Sequence, residues 1–153
     1  MKNNLLQLAF GLVVLVLGGG LEEFLPKVLG VGFPVLLTAT QFWALRAKSS
    51  LQAVLFALLA GAFEDALSSL PPMTSVSFFP MSALFVRQVG FPRAVTALTY
   101  SAYQLWLLIW TSVPGGEIFN RLLLSVPVGM LTAWAVGAAL TWIRTEGAID
   151  EQG

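Results

Sequence analysis

The 153-residue sequence contains no cysteine and no histidine. The first absence removes thiolate chemistry and disulfides, and the second removes imidazole metal sites and every triad that uses histidine as its base. Charge is scarce as well. Eight basic and eight acidic residues make up 10% of the chain and cancel, and no basic cluster is present that could neutralise phosphates, so nucleic acid is not an expected partner. Nothing in the composition calls for a metal or an organic cofactor. What remains is apolar: 57% of residues are hydrophobic and the mean hydropathy is +0.82. That leaves too little polar surface to cover a water-soluble domain of this size.

Four stretches carry no charge at all: Leu5 to Leu21, Val28 to Leu45, Ala94 to Val113 and Leu122 to Ile143. A bilayer core about 30 Å thick needs roughly 20 apolar residues at 1.5 Å each, so these stretches read as membrane spans. The first run, with Gly18, Gly19 and Gly20 near its end as a small-residue cleavage site, also has some features of a signal peptide. It is long for that role, and more spans follow.

Between Lys48 and Arg87 the apolar stretch is broken only by Glu64 and Asp65 and by Pro71 and Pro72. Proline lacks an N–H and disfavours helix in the residue before it, so two helices fit better than one. The first should end near Leu70. The second should run from Thr74 to Val86, capped by Thr74 or Ser75 and bent at Pro80. The expectation is a single all-α integral membrane domain over 1–153, a bundle of about six transmembrane helices at 5–21, 28–45, 50–69, 74–86, 94–113 and 122–143. Lys2, Arg46, Lys48, Arg87, Arg93 and Arg144 then share one side, against Lys27 and Arg121 on the other. The positive-inside bias places both termini in the cytoplasm. Trp43, Trp110 and Trp142 fall near span ends, whereas Trp106 and Trp134 lie deeper and are expected to pack against other helices.

Small residues recur every four positions at Ser125, Gly129, Ala133, Gly137 and Thr141, and again at Ala53, Ala57 and Gly61, with Ala62 and Ala66 as a further pair. Such stripes let membrane helices approach closely, either within one bundle or against a second protein. Glu64 would lie about 22 Å along a helix starting near Ser49, inside or at the outer edge of the bilayer. Its charge there, and that of Asp65, needs a partner or water; Lys27, Arg121, Ser68 and Ser69 are the candidates. Adjacent helix positions point about 100° apart, so Glu64 and Asp65 do not converge on one bond and no catalytic pair is expected. Pro34 suits the first turn of a helix. Glu22, Glu23 and Lys27 read as a solvated outer loop, and the acidic tail from Glu146 as a solvated end.

The middle of the chain resembles a known family, the rod-shape-determining membrane protein MreD of bacteria. The likeness runs from Phe33 and Pro34 to Trp43 and Arg46, then through Gly61, Ala62, Phe63, Glu64, Asp65, Ala66, Leu67, Ser68, Ser69, Leu70 and Pro71. The family pattern is a proline opening an apolar helix that closes on an aromatic residue and an arginine, then a glycine, an aspartate four residues on, and a serine and proline turn. Pro34 and Asp65 would be the family's proline and aspartate. The likeness covers roughly residues 30 to 90; one departure is Pro72-Met73-Thr74-Ser75, where the family commonly has a glycine soon after the turn. The resemblance implies a non-catalytic inner-membrane scaffold of the cell-elongation machinery that binds MreC and links the MreB filament to the peptidoglycan synthases. A different class stays open: the substrate-binding component of an energy-coupling-factor vitamin transporter is also a six-span bundle with small-residue docking stripes.

Overall fold

The computed structural model describes residues 2–29, 32–68, 71–90, 93–111 and 115–149. Six helices follow one another: α1 (Lys2–Leu29), α2 (Val35–Arg46), α3 (Ser50–Leu67), α4 (Thr74–Val89), α5 (Arg93–Trp110) and α6 (Gly115–Ile149), with no strand among the described residues. Two of them, Ser50–Leu67 and the Phe119–Ala139 part of α6, are long and apolar enough to cross a bilayer. Helix α2 has only 12 residues, a rise of about 18 Å, because Phe33 and Pro34 lie in non-helical backbone ahead of it.

Helix α1 does not stop at Leu21. It continues through Glu22, Glu23 and Pro26 to Leu29, so the two acids are helical residues and not a loop. Both are half-buried. Pro26 cannot donate to the Glu22 carbonyl one turn back, and the helix passes this point without ending. Helix α6 likewise begins before and ends after the apolar run at 122–143. Its backbone carries Glu146 into the helix, and 150–153 lie outside the described residues.

Helix α2 is the central element: Leu36, Leu37, Thr38, Ala39, Thr40, Gln41 and Ala44 are all buried. It packs against every other helix, while α3 with α4 and α5 with α6 form the two most extensive pairs. Small residues set the crossings. A Cβ on Gly61 would sit 2.6 Å from the Ser75 carbonyl oxygen and 2.8 Å from Val76 Cα, so α3 and α4 touch backbone to backbone. A Cβ on Gly129 would sit 2.9 Å from Ala97 Cα of α5, and one on Gly137 would sit 3.1 Å from the Phe42 ring of α2. Ala53, Ala57 and Ala133 are buried, and Ser125 Oγ is 2.8 Å from Ser101 Oγ. Of the two roles open to the stripes, these contacts are of the first kind, close packing within one bundle. The side chain of Thr141 is outside the described residues. Ala62 and Ala66 are the small pair that faces outward.

Apolar side chains cover the outside as well as the core, and many hydroxyls lie within. Thr38, Thr40, Gln41, Thr74, Ser75, Thr96 and Ser125 are buried, while Leu12, Leu17, Leu51, Leu59, Leu123 and Leu131 are exposed. Trp134 is exposed too, contrary to the expectation that it packs against another helix. Trp106 and Trp43 do pack: Trp43 stacks on Phe56 at 4.6 Å between ring centroids, and Trp106 meets Phe78 at 6.3 Å.

Candidate functional site

The first backbone N–H groups of a helix have no intrahelical acceptor and need one from a side chain. Helices α2 and α4 both start without one of their own. Pro34, which occupies the N-cap of α2, has no side-chain oxygen, and neither has Met73 at the N-cap of α4. Each start is closed by a carboxylate from another helix. Glu22 Oε2 of α1 accepts from Leu36 N at 2.8 Å. Asp65 of α3 accepts from Ser75 N at 2.8 Å and from Val76 N at 3.3 Å. A carboxylate at these positions meets both the orphan amides and the positive end of the helix dipole.

Asp65 is thus compensated by main-chain amides of α4, not by the serines that follow it. The Ser68 hydroxyl donates to the Glu64 carbonyl at 2.7 Å and leaves the carboxylates alone; Ser69 and the Lys27 side chain lie outside the described residues. Thr74 and Ser75, expected as caps, do other work. Thr74 Oγ1 donates to the Pro71 carbonyl at 2.6 Å, and Ser75 Oγ pairs with Tyr103 Oη at 2.6 Å. Trp106 Nε1 donates to the Thr74 carbonyl at 3.0 Å, and Tyr100 Oη to the Gly32 carbonyl at 3.0 Å. The same end of the bundle therefore joins α1, α2, α3, α4 and α5. Met73 has φ 75, the left-handed conformation in which glycine has no steric penalty.

Glu64 differs from its neighbour. It is 9% exposed, and among the described residues no donor reaches its carboxylate. The charges of Glu22 and Glu64 act on each other and on the hydroxyls of both Tyr100 and Tyr103. Arg121 also acts on Tyr100.

Arg46, singled out with Pro34, Glu64 and Asp65, is exposed at the opposite end and does not join them. The working cation there is Arg87 in the last turn of α4. Its Nη1 donates to the Ala44 carbonyl at 2.6 Å and the Ala47 carbonyl at 2.8 Å, which satisfies the C-terminal end of α2. Sequence reasoning missed both Arg87 and Glu22. One signal was available for Glu22: Pro34 cannot supply a side-chain cap, so an acceptor had to come from elsewhere.

No family model, no curated protein and no solved structure matches this chain.

Proposed function

We propose that this protein is a non-catalytic scaffold of the bacterial inner membrane, of the kind that its likeness to MreD implies. In this reading all six helices are embedded in the bilayer with both termini cytoplasmic. The scaffold binds an MreC-like protein and links MreB filaments to peptidoglycan synthesis. The observation that carries the reading is what its characteristic residues do. Pro34 opens α2, Gly61 lets α3 meet the α4 backbone, and Asp65 closes the start of α4. All three serve to join helices, as expected of an architectural component.

The membrane part rests on the outward leucines and the inward hydroxyls. Exposed apolar surface on this scale is unfavourable in water and costs nothing in lipid. The shortness of α2 is compatible with it, because non-helical backbone at membrane depth is tolerated where protein surrounds it, and α2 is walled in by the other five helices. The cytoplasmic end in this orientation carries Arg46, Lys48 and Arg87.

The test is an affinity pull-down of the tagged protein from native membranes in mild detergent, with companions identified by mass spectrometry. An MreC-like protein together with wall synthases is the expected result. A pair of ATPases with a coupling membrane subunit would replace the scaffold by the solute-uptake reading. One observation favours that second reading: Gln41 Oε1 and Thr96 Oγ1 are buried without a hydrogen-bond partner, and a polar solute between α2 and α5 would supply one. Saturable binding of a vitamin to the purified protein would establish it.

A further inference from the structure

Hydroxyls inside a helix bundle ordinarily close back on their own helix, as Thr38 does to the Pro34 carbonyl at 2.6 Å and Thr40 to the Leu36 carbonyl at 2.8 Å. Thr96, in the first turns of α5, departs from this habit. It is fully buried, yet its Oγ1 makes no hydrogen bond among the described residues. Gln41 of α2 is equally buried, and its Oε1 is unpartnered too. The two side chains belong to one seam: Gln41 Nε2 donates to Thr99 Oγ1 at 2.7 Å, and Thr99 Oγ1 donates to the Thr96 carbonyl at 3.0 Å. Because the Thr99 proton is committed to that carbonyl, its oxygen can only accept from the amide. The amide is thereby fixed with its nitrogen towards Thr99, so the group left over on Gln41 is an acceptor. Thr96 Oγ1 can both donate and accept.

An acceptor and a hydroxyl buried without replacement bonds are costly in a bundle of low dielectric. The seam is suited to a guest that supplies those bonds. Among the described residues α2 and α5 make the least extensive of the helix contacts, whereas α5 lies close against α6, where a Cβ on Gly129 would be 2.9 Å from Ala97 Cα. The seam is thus enclosed without being tightly packed. Its position favours water as the guest. Thr96 is three positions from the start of α5 at Arg93, and Gln41 is five from the end of α2 at Arg46, so both lie about 5–8 Å along their helices from the basic end of the bundle.

We propose that the α2–α5 seam binds a single buried water between Gln41 Oε1 and Thr96 Oγ1. The water donates one proton to Gln41 Oε1 and accepts the proton of the Thr96 hydroxyl, within the two to four bonds that buried waters make. A closed circuit results. It runs from the Thr96 hydroxyl through the water to the Gln41 amide, from the amide to the Thr99 hydroxyl, and from there back to the Thr96 carbonyl. The water joins α2, the centre of the bundle, to the α5–α6 pair. It does so whether the protein is a scaffold or a carrier; in a carrier it is what an arriving solute displaces.

The site is tested on the full chain, isotope-labelled and purified in detergent micelles. The water resonance should give a nuclear Overhauser cross-peak to the Thr96 γ-methyl group, with the sign of a long-lived bound water. The Thr38 γ-methyl is the control, because the Thr38 hydroxyl is buried as well but engaged with the Pro34 carbonyl; its cross-peak should be absent or several-fold weaker. Thr96→Val keeps the shape and removes the hydroxyl. It strips the water of a partner and should lower the midpoint of thermal unfolding by about 2–4 °C. In a dry seam the sign is reversed, since Thr96→Val then removes an unpaired hydroxyl and the midpoint stays level or rises. A Thr96 cross-peak no stronger than that of Thr38 would overturn the proposal, and so would a midpoint that does not fall in Thr96→Val.

Discussion

The two ends of the bundle solve the same problem with opposite charges. At one end Glu22 and Asp65 receive the free amides of α2 and α4; at the other, Arg87 donates to the free carbonyls of α2. The signs follow the helix dipole, which is positive at the start and negative at the finish. In each case the group comes from a different helix, so the capping bond is also a tertiary contact. The ends differ in saturation. Arg87 places its donors on two carbonyls, and its basic neighbours Arg46 and Lys48 are exposed to solvent. At the acidic end Asp65 is engaged by two amides of α4, whereas its neighbour Glu64 receives no hydrogen-bond donor among the described residues.

The comparison breaks most severely at Gly61. Gly61→Val places a side chain against the Ser75 carbonyl and Val76 Cα, main-chain atoms that cannot swing aside. The variant should lose about 3 kcal/mol, read as the midpoint of unfolding on titrating a denaturing detergent into mild micelles. A loss under about 0.5 kcal/mol, the range of an ordinary surface change, would mean that α3 and α4 are not in backbone contact.

Next in size are the two caps. Asp65→Ala strands two amides and should cost about 2 kcal/mol, and Arg87→Ala, which strands two carbonyls, should cost a similar amount. Arg46→Ala should stay within about 0.5 kcal/mol, as an exposed residue does. Amide hydrogen exchange separates the ends, because Asp65→Ala should raise exchange at Ser75 and Val76 first, and Arg87→Ala should raise it in the last turn of α2. Equal costs for Arg46→Ala and Arg87→Ala would remove the distinction between a solvated and a working cation.

The smallest expected effect has the opposite sign. Met73→Gly relieves a left-handed residue of its Cβ and should stabilise the α4 start by up to about 1 kcal/mol. A second effect is loss of backbone restraint in the unfolded chain, which works against this gain. A clear loss of stability, measured by thermal unfolding in micelles, would show that the exposed Met73 side chain makes contacts worth more than the strain.

Much of the fold is legible in the residues. Helices α3 to α5 start and end within three residues of the expected bounds, because Ser49, Pro71 and Pro72 are local signals. Ser49 accepts from Gln52 N at 3.2 Å as an N-cap should. The ends of α1 and α6 are not legible from hydropathy, since helix continues through charged residues that hydropathy treats as loop. The candidate site is legible only in part. Glu64 and Asp65 attract notice as acids within an apolar stretch, but what divides their roles is that Asp65 faces the start of α4 and Glu64 does not.

The sequence by itself determined the helical class, the apolar outer surface, the exclusion of thiol and imidazole chemistry, and the small-residue periodicity. Each follows from composition or from a repeat within one helix. Only the tertiary structure decided that the stripes face inward, that Glu22 caps α2, and that Arg87 and not Arg46 closes its other end. The partners of those two caps are 14 and at least 40 positions apart. A local pattern states what a helix end lacks; which distant side chain supplies it depends on how the helices cross.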